Sequence, residues 1–504
     1  MKKNITSFGI VLLTLLTFGC QEQNKGTTEK ENSTFSQDGR NYQNLNTRIG
    51  NLVFENNYLV GIPTKSTSEK IFDEIDFQRA SQAYIWSVPM TSFYAWKQSL
   101  YDMGGEDGQI HFFQSHQSKL GGLTYNTSTP YVIAFFNVAK QPTLVTIPTN
   151  EVRGAVHNVW QIGLSQMTKA GQYLIIPKNS EIPSNVPSGA TIVESNSNYV
   201  FLGVRLMAET KEQRDKDLSG ILITDINGTP LSDKGINKPT VGVDAKHPRG
   251  MAFWEVLNTA IQTEPVHERD RIMHDMLRPL GIEKNKEFKP TERQKKILEE
   301  AVVLGEVMAK TIDFNKSERL VQSKYGPQGN HWEIATASTP DQNRDNGMDL
   351  DGRAAWFYEA VTNDIAMHGM VNGGWGQVYL DNYRDSNGNG LDGGHHYTLT
   401  IDGDVNYAET FWTVTVYNIE NRAIINNKIK RADVGSNISG TEKNVDGDYE
   451  FHFSPVRPEG VAEANWVQTN PNENWFVYFR AYSPSKSFVE QKAETILPNF
   501  VEVK

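Results

Sequence analysis

The sequence contains one cysteine, Cys20, in 504 residues. An intramolecular disulfide is therefore excluded, and so is a catalytic thiol in the body of the chain. Positive charge is in deficit: 49 Lys and Arg stand against 60 Asp and Glu, for a net charge of −11. Such a surface repels phosphate backbones, which excludes nucleic acid as a partner class. The apolar run Ile5–Phe18 stops short of the about 20 residues that a bilayer-spanning helix needs. Gly-x-Ser-x-Gly, a phosphate-binding P-loop, His-Glu-x-x-His and a dinucleotide fingerprint are all missing, so nucleotide, NAD and zinc-protease chemistry have no local signature. Apolar residues at 38% and aromatics at 10% still supply ample material for packed cores, and the length argues for two or three domains.

The cysteine sits at an informative place. Lys2 and Lys3 precede the short apolar run, and Gly19-Cys20 closes it. The ending Leu16-Thr17-Phe18-Gly19-Cys20 resembles a bacterial lipoprotein lipobox. The alternative is a plain secretory signal with an incidental cysteine. On the lipoprotein reading, residues 1–19 are a signal peptide, Cys20 carries the lipid, and the membrane is a partner through that anchor. Gln21 follows where an Asp would mark inner-membrane retention, so the expected location is exported and outer-membrane-attached, facing the periplasm or the cell surface. Residues 20–45 are polar, cannot bury enough apolar surface to offset ordering, and are expected to form a flexible tether.

Ile71, Phe72, Ile75, Phe77, Ala80, Ala83, Tyr84 and Trp86 follow at helical spacing, and Pro89 is expected to interrupt that helix. From Gly121 onward, short β-branched and aromatic runs such as Tyr131–Val138, Gln172–Pro177 and Tyr199–Met207 are separated by Gly, Pro and Asn, the pattern of a sandwich or jelly roll. Helical patterns return over 250–315, where Thr291 and Gln294 form a capping box ahead of Ile297, Ala301, Leu304 and Met308. Strands resume with His396–Ile401, Thr410–Ile419 and Asn474–Pro484. The expected class is mainly β with helical additions, α+β: two jelly-roll-type antiparallel β domains with a helical segment between them. The segments are 46–240 (helical patch and β domain), 241–369 (helical connection) and 370–504 (second β domain).

The C-terminal block carries four ordered motifs: the turn from Asp385 to Gly393, the strand Tyr397-Thr398-Leu399, the strand Phe411–Tyr417, and Asn465-Trp466 followed by Arg480, Tyr482 and Pro484. It resembles the domain-of-unknown-function family 1214. The block from Ala80 through Tyr131–Val138 to Tyr199–Met207 resembles family 1254, its usual partner. The resemblance implies paired jelly rolls and no established reaction. Where family 1254 tends to carry Asn-x-Asp-Thr, this chain has Asn126-Thr127-Ser128-Thr129. Any chemistry which that Asp performs elsewhere is therefore unavailable here.

Candidate sites follow from residue type and spacing. Asp385, Asn387 and Asn389, with Gly390 at the tight turn and Asp392 nearby, resemble half of a calcium loop. The position of the bidentate Glu falls on His396, a poor ligand for a hard cation. The stretch therefore reads either as a weak structural calcium site or as a Gly-rich turn; no other cofactor is indicated. His395 and His396 are adjacent on a strand and point to opposite faces, so they do not share an ion. His111, His116, His267 and His274 lack ligand spacing. Arg205 and Arg480 each end an aromatic-rich strand, where a buried guanidinium needs a carboxylate or carbonyls. They read as structural clamps at equivalent places or as ligand-carboxylate binders. Trp412 and Trp466 fall on the same aromatic strands as ligand or core residues. Asp341, Asp345, Asp349 and Asp351 form an acidic loop that would serve a glycoside hydrolase only if two of them flanked one bond. Two functions stay open: a binding or interaction protein of the envelope, with its ligand or protein partner unknown, or a hydrolase, on glycans for instance, with its site in the cleft between the β domains.

Overall fold

A computed structural model describes residues 34–35, 39–326, 328–368, 370–371, 374–490 and 497–504. The leader 1–19 and Cys20 lie outside the described residues, as does most of the tether. The chain divides into two units, Met1–Asp73 and Glu74–Lys504. In the first, strands Asn41–Thr47 and Gly50–Glu55 form an antiparallel hairpin flanked by the short strands Thr34–Phe35 and Ile62–Pro63. The hairpin begins within the residues expected to be tether. Helix and strand take nearly equal shares, 28% and 29%, so the class is mixed α+β.

Helix α1 (Lys65–Asp102) runs through Pro89 without a break, contrary to the interruption expected there. The cause is tertiary. From Ala80 to Leu100 nearly every side chain is buried, and a helix that is apolar all round is held by its surroundings. Gln161 Nε2 also donates to the Pro89 carbonyl at 2.8 Å. The stripe read from the sequence is buried only in its second half: Phe72 and Ile75 are exposed, whereas Ala80, Ala83, Tyr84 and Trp86 are buried.

The first β block comprises β1 (His111–Phe113), β2 (Tyr131–Asn137), β3 (Thr143–Ile147), β4 (Val152–Asn158), β5 (Gly163–Gln166), β6 (Gly171–Pro177), β7 (Thr191–Ser195), β8 (Tyr199–Leu206) and β9 (Leu222–Thr224). Helix α2 (Lys211–Gly220) lies between the last two strands. They form two sheets, ordered β1-β2-β8-β4-β5 and β7-β6-β3-β9. Alternation along each strand explains the layers. Val132, Ala134, Phe136, Val200, Leu202 and Val204 meet Val145, Ile175 and Val193 between the sheets. Ile133, Phe135 and Phe201 point the other way, into the core shared with α1, where Trp96 lies 4.6 Å from the Phe201 ring. The larger sheet is thus covered on both faces.

Helices α3 (Met251–Thr263), α4 (Glu292–Asp313) and α5 (Leu350–Glu359) follow. The capping box of α4 is formed by Thr291 and Gln294. Its buried face runs through Ile297, Ala301, Val302, Gly305 and Ala309. Gly305 is required because a Cβ there would run into the Tyr84 ring of α1.

The second β block comprises β10 (Glu333–Ile334), β11 (Gln377–Asn382), β12 (His396–Ile401), β13 (Ala408–Asn418), β14 (Asp433–Gly435), β15 (Tyr449–Ser454), β16 (Trp466–Gln468), β17 (Asn474–Pro484) and β18 (Val501–Val503), with helix α6 (Lys486–Glu490) ahead of β18. Its sheets run β10-β11-β17-β13-β14 and β16-β15-β12-β18. The strand order is that of the first block, with one added two-residue strand, Leu391–Asp392, paired to β17, and the helix recurs at the same place. The parallel pairs recur too, β6·β7 in one block and β15·β16 in the other. The chain therefore carries one topology twice. Trp412 and Trp466 belong to the second core: Trp412 stacks on Phe479 at 5.6 Å, and Trp466 Nε1 donates to the Ser454 carbonyl at 3.1 Å.

Candidate functional site

The repeat fixes which residues correspond. Arg205 of β8 lies opposite Tyr131 of β2 and Arg153 of β4. Arg480 of β17 lies opposite Tyr379 of β11 and Thr413 of β13. The two arginines read from the sequence thus hold the same register position, each beside a tyrosine. Strand alternation sends both away from their own sandwich cores, and both line one cavity of about 550 Å³.

Both blocks build its walls. Tyr131, Ile133, Arg153, His157, Phe201, Gly203 and Arg205 come from the first block; Gln377, Tyr379, Tyr478, Arg480 and Tyr482 come from the second. Trp96 of α1 and Trp356 of α5 add aromatic surface. Gly203 lets the Phe201 ring lie across the strand, since a Cβ there would occupy the ring's space.

The charges are uneven. Arg153, Arg205, Arg480 and Lys169 line the cavity against one carboxylate, Asp364. Arg153 and Lys169 are exposed, Arg205 is half-buried, and Arg480 is buried. Arg480 donates to the Tyr417 hydroxyl and, at 2.6 Å, to the Thr124 carbonyl, with the Tyr478 and Tyr379 rings 4.8 and 5.3 Å from its Cζ. Arg205 meets Gln377: with the amide turned to satisfy both neighbours, its oxygen accepts from Arg205 Nη1 at 2.9 Å and its NH₂ donates to the Tyr379 hydroxyl. Arg153 Nη1 donates to the Asn150 and Val152 carbonyls at 2.6 and 2.9 Å. Among the described residues no carboxylate lies within ion-pair distance of these three guanidiniums.

Asp364 is engaged elsewhere. Its Oδ2 lies 3.2 Å from His157 Nε2, and its Oδ1 accepts from the Ala366 amide at 2.8 Å. Burial works to raise its carboxyl, but the His157 hydrogen bond and charge outweigh that and hold it below the usual range. Burial pushes Lys119, just outside the lining, down to about 7; Asp433 opposes this and the Arg205 charge adds to it. Lys119 donates to the Thr127 and Thr129 carbonyls at 3.1 and 2.8 Å. The neighbouring Thr127 hydroxyl donates to the buried Asp433 carboxylate. Trp96 buries its indole N–H without a hydrogen-bond partner among the described residues.

A second cluster is a fully buried hub. One carboxylate oxygen each of Asp313, Glu359 and Asp381 lie within 4.8 Å of one another. Lys316 Nζ lies 2.7 Å from both Asp313 Oδ1 and Asp381 Oδ2, and 3.9 Å from Glu359 Oε1. The ammonium occupies the centre where a metal ion would sit, so the chain supplies its own cation. Tyr383 and Tyr478 donate to Glu359. The hub ties the end of α4 to α5, β11 and β17.

The remaining sequence candidates lie apart from the cavity. Asp385 is buried, and its Oδ1 accepts from the Asn387 and Asn389 amides at 2.9 Å each. Asp392 accepts from the Gly394 amide at 2.7 Å. These are turn contacts, and a calcium ion there would compete with them. His395 lies 2.8 Å from Glu502, whereas His396 lies 3.0 Å from His452, so the neighbours face different partners. In the acidic loop, Asp349 caps α5 and pairs with Arg344 at 2.9 Å, and Asp351 pairs with Arg319 at 2.6 Å. Gln377, Arg153 and the His157–Asp364 pair carried no signal in the sequence, because strands far apart in the chain bring them together.

Fold and site thus define a protein of two β sandwiches of one topology, joined by helices around a cationic, aromatic-walled cavity. Residues 110–221 match the family model described as protein of unknown function DUF1254, and residues 376–486 match that of DUF1214. These are the two families whose motifs the sequence carries, and the matches coincide with the bulk of the two sandwiches. The VPA0106 protein from Vibrio parahaemolyticus, known from a crystal structure, is similar in fold: TM-score 0.52 at 18% identity, over 85% of this chain and 100% of that one. A putative uncharacterized protein from Burkholderia cenocepacia aligns over 88% of this chain and 98% of its own with a TM-score of 0.36 and 12% identity. No curated protein matches the sequence.

Proposed function

We propose that this is an exported, lipid-anchored protein of the cell envelope that binds a small molecule in the cavity between its two β sandwiches. The observation that carries the binding reading is the cavity itself. Its volume of about 550 Å³ falls in the range of about 300–1,000 Å³ typical of ligand sites, and aromatic walls with a few convergent polar groups are the usual lining. The hydrolase alternative receives less support. Retaining or inverting glycoside hydrolysis needs two carboxylates flanking a bond, and the described lining offers only Asp364, already bonded to His157. The anchor rests on Cys20 and the residues before it. No helix among the described residues is long and apolar enough to cross a membrane.

Two experiments test the reading. Thermal-shift screening of the protein against small metabolites should give ligands whose effect is lost in Thr410→Trp, which fills an exposed position at the cavity wall. Ligands that act equally on both proteins would count against the cavity. Cell fractionation tests the anchor: wild type should partition with membranes and Cys20→Ser with the soluble fraction, and an unchanged partition would refute lipidation.

A further inference from the structure

Resting on the cavity reading above, we infer that the ligand is an amphipathic monoanion: a carboxylate-type head held by Arg205, on an apolar body laid against Tyr131, Phe411 and Met367. The two equivalent arginines differ in what they face. Arg480 is buried and its donors are engaged within the protein, by the Tyr417 hydroxyl of its own block and the Thr124 carbonyl of the first block, with three tyrosine rings around it. Arg205 is half-buried at the cavity wall. Its polar neighbour there is the neutral amide of Gln377, and its Cζ lies 5.8 Å from the Tyr482 ring. A guanidinium carries five N–H donors in a planar fork that fits a carboxylate bidentately. Partial burial strengthens that pairing, and among the described residues no carboxylate makes it. Arg153 and Lys169, exposed on the same lining, extend the positive field outward on a chain whose net charge is −11, so a small anion is drawn to this face.

The rest of the lining selects the body. Tyr131, Phe411 and Met367 are half-buried on the lining, apolar surface that a small hydrated dianion such as free phosphate would leave uncovered.

The test uses the full-length protein, with 8-anilinonaphthalene-1-sulfonate fluorescence as the reporter and decanoate, 1-decanol and inorganic phosphate as competitors. Decanoate should displace the dye at about tenfold lower concentration than decanol, as a charge-assisted hydrogen bond requires, and phosphate should be the weakest. Arg205→Gln should remove the preference for decanoate and leave decanol unchanged; a melting curve checks that the variant folds, and the acid-against-alcohol comparison in wild type stands without it. Equal competition by decanoate and decanol would overturn the anionic head while leaving the cavity reading intact. Phosphate competing as well as decanoate would overturn the amphipathic body. Dye binding that no competitor displaces and that persists in Thr410→Trp would overturn the cavity reading itself.

Discussion

Replacing Lys316 with Met tests the energetics of the buried hub. Lys316, Asp313, Glu359 and Asp381 are all fully buried. The substitution keeps the length of the side chain and removes the ammonium that sits among three carboxylates whose oxygens crowd within 4.8 Å. Removing one partner of a buried ion pair costs about 3–5 kcal/mol, because the remaining charge is left uncompensated. The cost should depend on pH with a definite sign. Burial is the largest cause that holds Asp313 and Asp381 well above the ordinary carboxylate range; Glu359 adds to it and Lys316 opposes it. The folded state therefore binds more protons than the unfolded chain above pH about 4, and stability through these groups falls as pH rises. Without Lys316 the opposition is gone and the fall steepens. Urea titrations followed by tryptophan fluorescence should show a deficit of about 3–5 kcal/mol at pH 8 that shrinks by more than about 1 kcal/mol at pH 5. Adding Asp381→Asn to the variant should recover part of the loss, since it removes one of the mutually repelling charges. A deficit below about 0.5 kcal/mol at pH 8, or one that does not change with pH, would refute the assignment of Lys316 as the hub's cation.

Gly305→Ala should lower stability by about 1–3 kcal/mol, because the new methyl meets the Tyr84 ring with no room to yield; a melting curve like that of wild type would refute the close α1–α4 packing. His247 is buried, and burial, reinforced by Arg422, pushes it down to about 3. The folded protein thus resists a proton that the unfolded chain takes below pH about 6.5. Stability through this group falls as pH drops from there toward about 3, and His247→Leu should flatten that part of the stability–pH curve; an unchanged slope counts against it. Asp385→Ala should cost about 1–3 kcal/mol by leaving the Asn387 and Asn389 amides without their acceptor. Melts of wild type in calcium and in EDTA separate the two readings of this loop: coincident curves favour the turn, and a calcium-dependent rise favours the metal site.

The sequence by itself determined everything that depends on neighbours along the chain. The apolar β-branched and aromatic run Tyr131–Val138 and the alternation over Phe411–Tyr417 marked strands, Thr291 and Gln294 marked the start of α4, and the ordered C-terminal motifs from Asp385 to Pro484 pointed to the family match. Arg205 and Arg480 stood out for the same local reason, as charges closing aromatic strands. Only the tertiary structure decided what these elements do together. Pro89 remains inside a helix because the surrounding core holds that segment, a force no local propensity reports. The repeated topology is invisible in residue identity: at one register position Tyr131 and Arg205 recur as Tyr379 and Arg480, yet two residues earlier on the same face Gly203 has Tyr478 as its counterpart. The Lys316 hub gathers side chains from two helices and two strands, and the cavity gathers them from Trp96 to Ser483. Sheet pairing brings them within hydrogen-bond reach, and pairing partners are chosen by the burial of whole faces, a quantity that belongs to the folded chain.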